Sequence, residues 1–128
     1  MNSNAQVIGL SKGTIIKSKP WKTRFSDFYG NRGMLGFIVL ATDLVMENNI
    51  IRLTPEGVGL SFSRIPCKTD VNNTFLRQQL AMLPSAAAMI QPDKPPDLVC
   101  YACTSGSILN GEQNCMDAIK VGAPHSKS

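Results

Sequence analysis

Apolar and polar positions along the chain follow two regimes that divide at residue 33. From Met34 to Ala41 the residues Met-Leu-Gly-Phe-Ile-Val-Leu-Ala run without a charge between Arg32-Gly33 and Thr42-Asp43, the pattern of a strand buried on both faces. Leu44–Leu53 predicts a short helix, with Thr42 or Asp43 as its N-cap and Glu47 in the first turns, where negative charge is favoured. Thr54-Pro55-Glu56-Gly57 then turns the chain. Val58–Ile65 alternates: Val58, Leu60 and Phe62 point one way, Gly59, Ser61 and Ser63 the other. This predicts a second strand, ended by Pro66.

Farther along, Leu76, Leu80, Leu83, Ala87 and Ile90 recur at helical steps, with Thr69 and Asp70 placed to cap the element. Pro84 falls inside that stripe and must kink the helix or begin a second one, because its ring removes a backbone donor. Gln91–Asp97 is an exposed connector into a third apolar strand, Leu98–Cys103. The small residues Thr104–Ser107 lead into a helix predicted over 111–120, and Val121–Ser128 reads as loop. The order β-α-β-α-β-α predicts a parallel sheet with helices on its faces, a three-layer α/β lobe of flavodoxin-like type.

Residues 1–33 obey neither period. Val7–Leu10 and Thr14–Ile16 are apolar islands among Ser, Asn, Lys and Gly, which marks the segment as a polar extension, with Trp21, Phe25 and Phe28 as its anchors on the body formed by residues 34–128. Charge divides at the same place. The extension holds six basic groups and one acidic group, a local +5, whereas the body holds seven basic and eight acidic groups, a local −1. The net +4 of the chain therefore belongs to the extension, and the body lacks the basic face that nucleic acid requires. A chain of 128 residues, 43% apolar, has room for one small domain with its own core. No apolar run is long enough for a membrane span, and the first 30 residues lack the pattern of a secretory signal. The expected location is cytoplasmic, where Cys67, Cys100, Cys103 and Cys115 stay reduced.

In a parallel sheet, ligands bind beyond the carboxyl ends of the strands. Three segments meet at that rim: Ala41-Thr42-Asp43, Arg64-Ile65-Pro66 and Cys103–Ser107. The last places a thiol where a strand gives way to small and hydroxyl residues with unpaired backbone N–H groups. A helix mouth of that kind lowers a thiol's pKa and also receives a carboxylate. Packing is the other role open to a strand cysteine. Cys100 and Cys103 have CxxC spacing, yet lie within or at the end of a strand and point to opposite faces, which argues against a redox pair. Zinc would need further ligands, and the only others are Cys67, Cys115 and the single histidine, His125; no metal is expected. No phosphate-binding glycine motif is present, and no cofactor is expected. Arg64 either holds a substrate carboxylate or pairs with Asp43 or Glu47.

Gly36–Glu47, Gly57–Pro66 and Asp97–Ser107, above all the string Tyr101-Ala-Cys-Thr-Ser-Gly-Ser107, resemble the maleate cis–trans isomerases. More broadly they resemble the aspartate/glutamate racemase superfamily, with arylmalonate decarboxylase and the ectoine-utilisation proteins. The resemblance covers about residues 33–125. It implies two α/β lobes that each bring one cysteine to a shared cleft, with Cys103 as the first of the pair. Cys103 would then attack a substrate double bond or move a proton at an α-carbon. Thr104 and Ser105 match positions that bind a substrate carboxylate. The decarboxylase has glycine in place of Cys103, which favours isomerase or racemase chemistry.

Two features depart from the family pattern. Asp43 stands where asparagine is common, and a second anion there repels a dicarboxylate. The second lobe and its cysteine are not in this sequence, so the expected chain is an N-terminal lobe with little turnover alone, completed by a C-terminal lobe or by a homo-oligomer. The expected substrate is a small carboxylic acid, with Cys103 catalytic and Thr42, Asp43, Arg64, Thr104 and Ser105 binding it. The competing expectation is a non-catalytic α/β module for a small anion or a partner protein.

Overall fold

The computed structural model describes residues 29–67 and 72–128. Three parallel strands, β1 (Gly33–Leu40), β2 (Val58–Ile65) and β3 (Leu98–Tyr101), form one sheet in the order β2-β1-β3. Helix α1 (Met46–Leu53) joins β1 to β2. Helices α2 (Asn73–Gln79) and α3 (Leu83–Ala88), linked by a 3-10 turn at Leu80–Met82, join β2 to β3. Helices α4 (Thr104–Asn110) and α5 (Glu112–Gly122) follow β3. This is the α/β arrangement that the hydrophobic pattern predicts, with β1 at the centre of the sheet.

Register explains which face carries the core. Ile38 lies opposite Ser63 on β2 and Tyr101 on β3, and Leu40 lies opposite Ile65. Ile38, Ile65, Val99 and Tyr101 are buried in one cluster with Leu83, Ala86 and Ala87 of α3 and Cys115 and Ile119 of α5, with Leu40 packed against it. Full burial of a side chain such as Ile38 contributes about 1.5–3 kcal/mol. On the opposite face Phe37 stacks on Phe62, ring centroids 5.6 Å apart, beneath an α1 that buries none of its own residues. The apolar side of β2 thus faces the thinly covered layer. Gly59 and Ser63 are the buried small residues, with Ile65, on the side where α3 packs close.

Several predicted boundaries move. Helix α1 starts at Met46, because Asp43 Oδ1 accepts the N–H groups of Val45 (2.9 Å) and Met46 (2.8 Å) and holds the preceding loop. Helix α2 is capped by Asn72, whose Oδ1 accepts the Phe75 N–H at 3.0 Å; Thr69 and Asp70 lie outside the described residues. Pro84 does begin a new helix, α3, near its N-terminus. The helix predicted over 111–120 is α5, and a further helix precedes it: α4 begins directly at Thr104, and Gly111, at φ +85°, ends it and leads into α5. A positive φ is cheap only for glycine, so the break is encoded at that position.

The tail predicted as loop is loop only from Ala123, and it is tied down. Helix α5 continues to Gly122, and Lys127 returns beside β3, donating to the Asp97 carbonyl and accepting from the Val99 N–H. The result is a parallel bridge between Leu98 and Lys127. Of the N-terminal extension, residues 1–28, with Trp21, Phe25 and Phe28, lie outside the described residues. Tyr29–Arg32 form a turn in which the Tyr29 hydroxyl accepts the Leu60 N–H at 2.8 Å. Among the described residues no helix is long and apolar enough to cross a membrane.

Candidate active site at Cys103

Strand order places the end of β1 between the ends of β2 and β3. Backbone bonds from Ala41 N–H to the Ile65 carbonyl and from Ala102 N–H to the Ile38 carbonyl, each 2.9 Å, carry the ladder up to the rim. The three rim segments are therefore neighbours, with Thr42 and Asp43 in the middle, Arg64 on one side and Cys103 on the other.

Cys103 leaves β3 in an extended conformation and is the N-cap of α4. Its Sγ accepts the Gly106 N–H at 3.4 Å, the place an Asp or Ser oxygen ordinarily takes. Gly106 is buried because a side chain there has no room: a Cβ would run into the Tyr101 hydroxyl and stand 3.1 Å from the sulfur. On the α2 side, Gln79 Oε1 accepts the Tyr101 hydroxyl proton at 2.6 Å and faces Cys103 Sγ at 3.9 Å, a long contact even for sulfur. Burial, reinforced by the bond to Cys103, pushes the Tyr101 hydroxyl far above its ordinary range, so it remains a donor. Asn110 fixes α4 in place, donating through Nδ2 to the Leu76 carbonyl at 2.8 Å and the Gly106 carbonyl at 2.9 Å.

The half-buried Cys103 lines a cavity of about 440 Å³ with Phe37, Met46, Ile50, Cys100 and Ile108 as apolar walls and Thr104 and Ser107 as polar ones. A hollow of about 590 Å³ lies along the outer edge of β3, against Leu98, Met116 and Ser128. Cys103 is not among its walls. Thr104 and Ser105 are both exposed in the first turn of α4. The other thiols differ in setting. Burial pushes Cys100 and Cys115 up, Cys115 also through the charge of Cys103, and Cys115 belongs to the core. Cys67 is half-buried after Pro66. Among the described residues no group of three His, Cys, Asp or Glu side chains is placed to hold a metal ion.

Arg64 pins the loop between β1 and α1. One terminal nitrogen donates to the carbonyls of Leu40, Ala41 and Asp43 at 3.0–3.2 Å, and Nε and the other terminal nitrogen reach Glu47 Oε1 at 3.2 and 3.0 Å. Of the two pairings read for it, the ion pair is with Glu47. The Asp43 carboxyl is held below the usual carboxylate range, first by the N–H groups of Met46 and Val45 and then by Arg64, so it carries charge at the rim. Thr42 is exposed at the same loop.

Two residues of this cluster escape the sequence reading. Tyr101 passes there as a strand core residue. Gln79 sits on the apolar stripe of α2, three positions after Leu76 and four before Leu83, yet it is completely buried. A lone carboxamide on a core stripe is the signal that singles it out, since a buried polar group needs a partner. Comparison with known proteins finds no matching family model and no significant match among curated proteins.

Proposed function

We propose that this chain is the N-terminal lobe of a cofactor-independent isomerase or racemase acting on a small carboxylic acid, in the manner of the maleate isomerases. One observation carries the reading: a thiol at the carboxyl end of a parallel strand, capped by a backbone N–H and open to a cavity of about 440 Å³. A neutral thiol is a weak acceptor, whereas a thiolate is a strong one, so the Gly106 bond is worth most when the sulfur is ionised.

The chemistry needs no cofactor. The Cys103 thiolate adds to one alkene carbon of an unsaturated acid, forming a C–S bond, and the π pair moves to the neighbouring carbon as an enolate. The carbon–carbon bond is then single and rotates. Return of the electron pair breaks the C–S bond, restores the double bond in the other geometry and regenerates the thiolate. In a racemase the same sulfur would take a proton from an α-carbon. Thr104 and Ser105 would receive the carboxylate at the first turn of α4. The charge on Asp43 disfavours a second carboxylate at its end of the rim and favours an amine-bearing or monocarboxylic substrate. The resemblance places a second thiol on a facing lobe, so the 128-residue chain alone is expected to form an adduct but to turn over poorly.

The test is competitive alkylation with iodoacetamide near neutral pH, read by peptide mass mapping. Cys103 is expected to be modified well before Cys115; equal rates would remove the activated nucleophile. Incubation with an unsaturated monocarboxylic acid adds a direct check, since a thioether adduct on Cys103 is the expected first product.

A second reading is a non-catalytic module for a small anion or a partner, in which Arg64 shapes the β1–α1 loop rather than holding the ligand, since its donors are taken up by the loop carbonyls and Glu47. Carboxylate binding that survives Cys103→Ala, together with an unreactive sulfur, would favour it.

A further inference from the structure

We infer that Gln79 is a positioning residue for Cys103, its carboxamide turning over as the sulfur ionises so that the oxygen faces the thiol and the amide N–H faces the thiolate. The inference rests on the thiolate chemistry proposed above.

Gln79 is 0% exposed, and its Nε2 is the one fully buried side-chain nitrogen or oxygen among the described residues that has no hydrogen-bond partner. Leaving such a group unsatisfied costs about 1–3 kcal/mol. The other end of the same carboxamide is crowded: Oε1 takes the Tyr101 hydroxyl proton and faces the Cys103 sulfur. That arrangement suits a thiol, which has a proton to offer. It opposes a thiolate, which is an acceptor facing another acceptor.

Rotation of the terminal amide exchanges oxygen for nitrogen in nearly the same volume and requires no movement of α2. Nε2 then donates to the thiolate and acquires its partner, while Oε1 gives up the Tyr101 proton and takes the unpartnered place. Tyr101, kept protonated by burial, turns its O–H from Gln79 toward the sulfur, with which it already interacts. With the Gly106 N–H the thiolate then has three donors, and the thiol proton has left to water. The titratable neighbours are Tyr101 on β3, Cys115 on α5 and Cys67 after β2. Helix α4 contributes no charged side chain, and Arg77 of α2 is exposed.

The experiment follows the pH dependence of Cys103 alkylation by iodoacetamide in the parent chain and in Gln79→Leu, with circular dichroism as the check on folding. The variant is expected to react about tenfold more slowly near neutral pH and to catch up as pH rises, the effect of losing one hydrogen bond to an anion. Superimposable profiles would overturn the inference. Should Gln79→Leu fail to fold, the parent supplies the answer: its Gln79 side-chain amide signals in a 15N spectrum are expected to move with the midpoint of the alkylation curve, and signals that stay fixed would overturn it. A parent Cys103 no more reactive than Cys115 would instead sink the functional proposal, so the two failures are distinct.

Discussion

The N–H of Gly106 points at the sulfur of Cys103 from 3.4 Å, so the thiol that faces the cavity also closes the first turn of its own helix. Sequence, cap and site are the same few atoms here. Strand β3 delivers the sulfur to the rim, a residue without a side chain lets the amide approach it, and Asn110 ties the far end of α4 to α2. A change to any of these acts on the thiol through the backbone.

Gly106→Ala is the sharpest probe of that coupling. The added methyl meets the Tyr101 hydroxyl and the sulfur, and overpacking of this kind costs about 1–3 kcal/mol. Chemical denaturation should show that loss, and alkylation of Cys103 should slow in the folded variant. A variant of parental stability would mean that the helix mouth is looser than described.

Asn110→Ala removes a donor shared by two buried carbonyls, those of Leu76 and Gly106. The expected loss is about 1–3 kcal/mol. Hydrogen exchange should locate it, with amides of α4 less protected while those of β1 keep their protection.

Asp43 gives the fold a pH dependence of known sign. Its carboxyl titrates below the ordinary value of 3.8 in the folded chain, so the unfolded chain binds the proton more readily. The stabilisation is complete above the unfolded value and is lost as pH falls through the folded one. Asp43→Asn keeps an oxygen for Val45 and Met46 and should flatten the acid limb of a stability–pH curve. Asp43→Ala should lose the turn outright, at about 1 kcal/mol near neutral pH.

Arg64→Lys tests whether charge or geometry matters at the β1–α1 loop. A lysine, with one nitrogen, cannot hold the carbonyls of Leu40, Ala41 and Asp43 and at the same time make the two contacts to Glu47 that Nε and the other terminal nitrogen supply. Lysine is expected to behave nearly like alanine, each losing about 1–2 kcal/mol in thermal or denaturant unfolding. Full rescue by lysine would assign the contribution to the ion pair alone.

The parallel α/β frame was legible because its strands are short apolar or alternating runs separated by helical stripes, and Pro84 announced a helix start by its own chemistry. Helix α4 was not, because Thr104, Ser105, Gly106 and Ser107 are weak helix formers, and their helical state rests on tertiary bonds made by Asn110 and on the Cys103 cap. The faces of β2 reversed the usual expectation because close approach of α3 favours small residues over large ones. Cys103 stood out by its position at a strand end. Its neighbour Gln79 reaches it across 24 positions, a meeting that no local spacing reports, whereas Tyr101 ends the same strand two positions before it.

The Leu98–Lys127 bridge has a practical corollary. Any polypeptide that follows Ser128, whether encoded or appended as a purification handle, sets out alongside β3 already in parallel register, next to the hollow bounded by Ile108 and Met116. A fusion at that end would run along β3, the outer strand of the sheet among the described residues, and shade Cys100, so reporters and affinity handles belong at the opposite terminus.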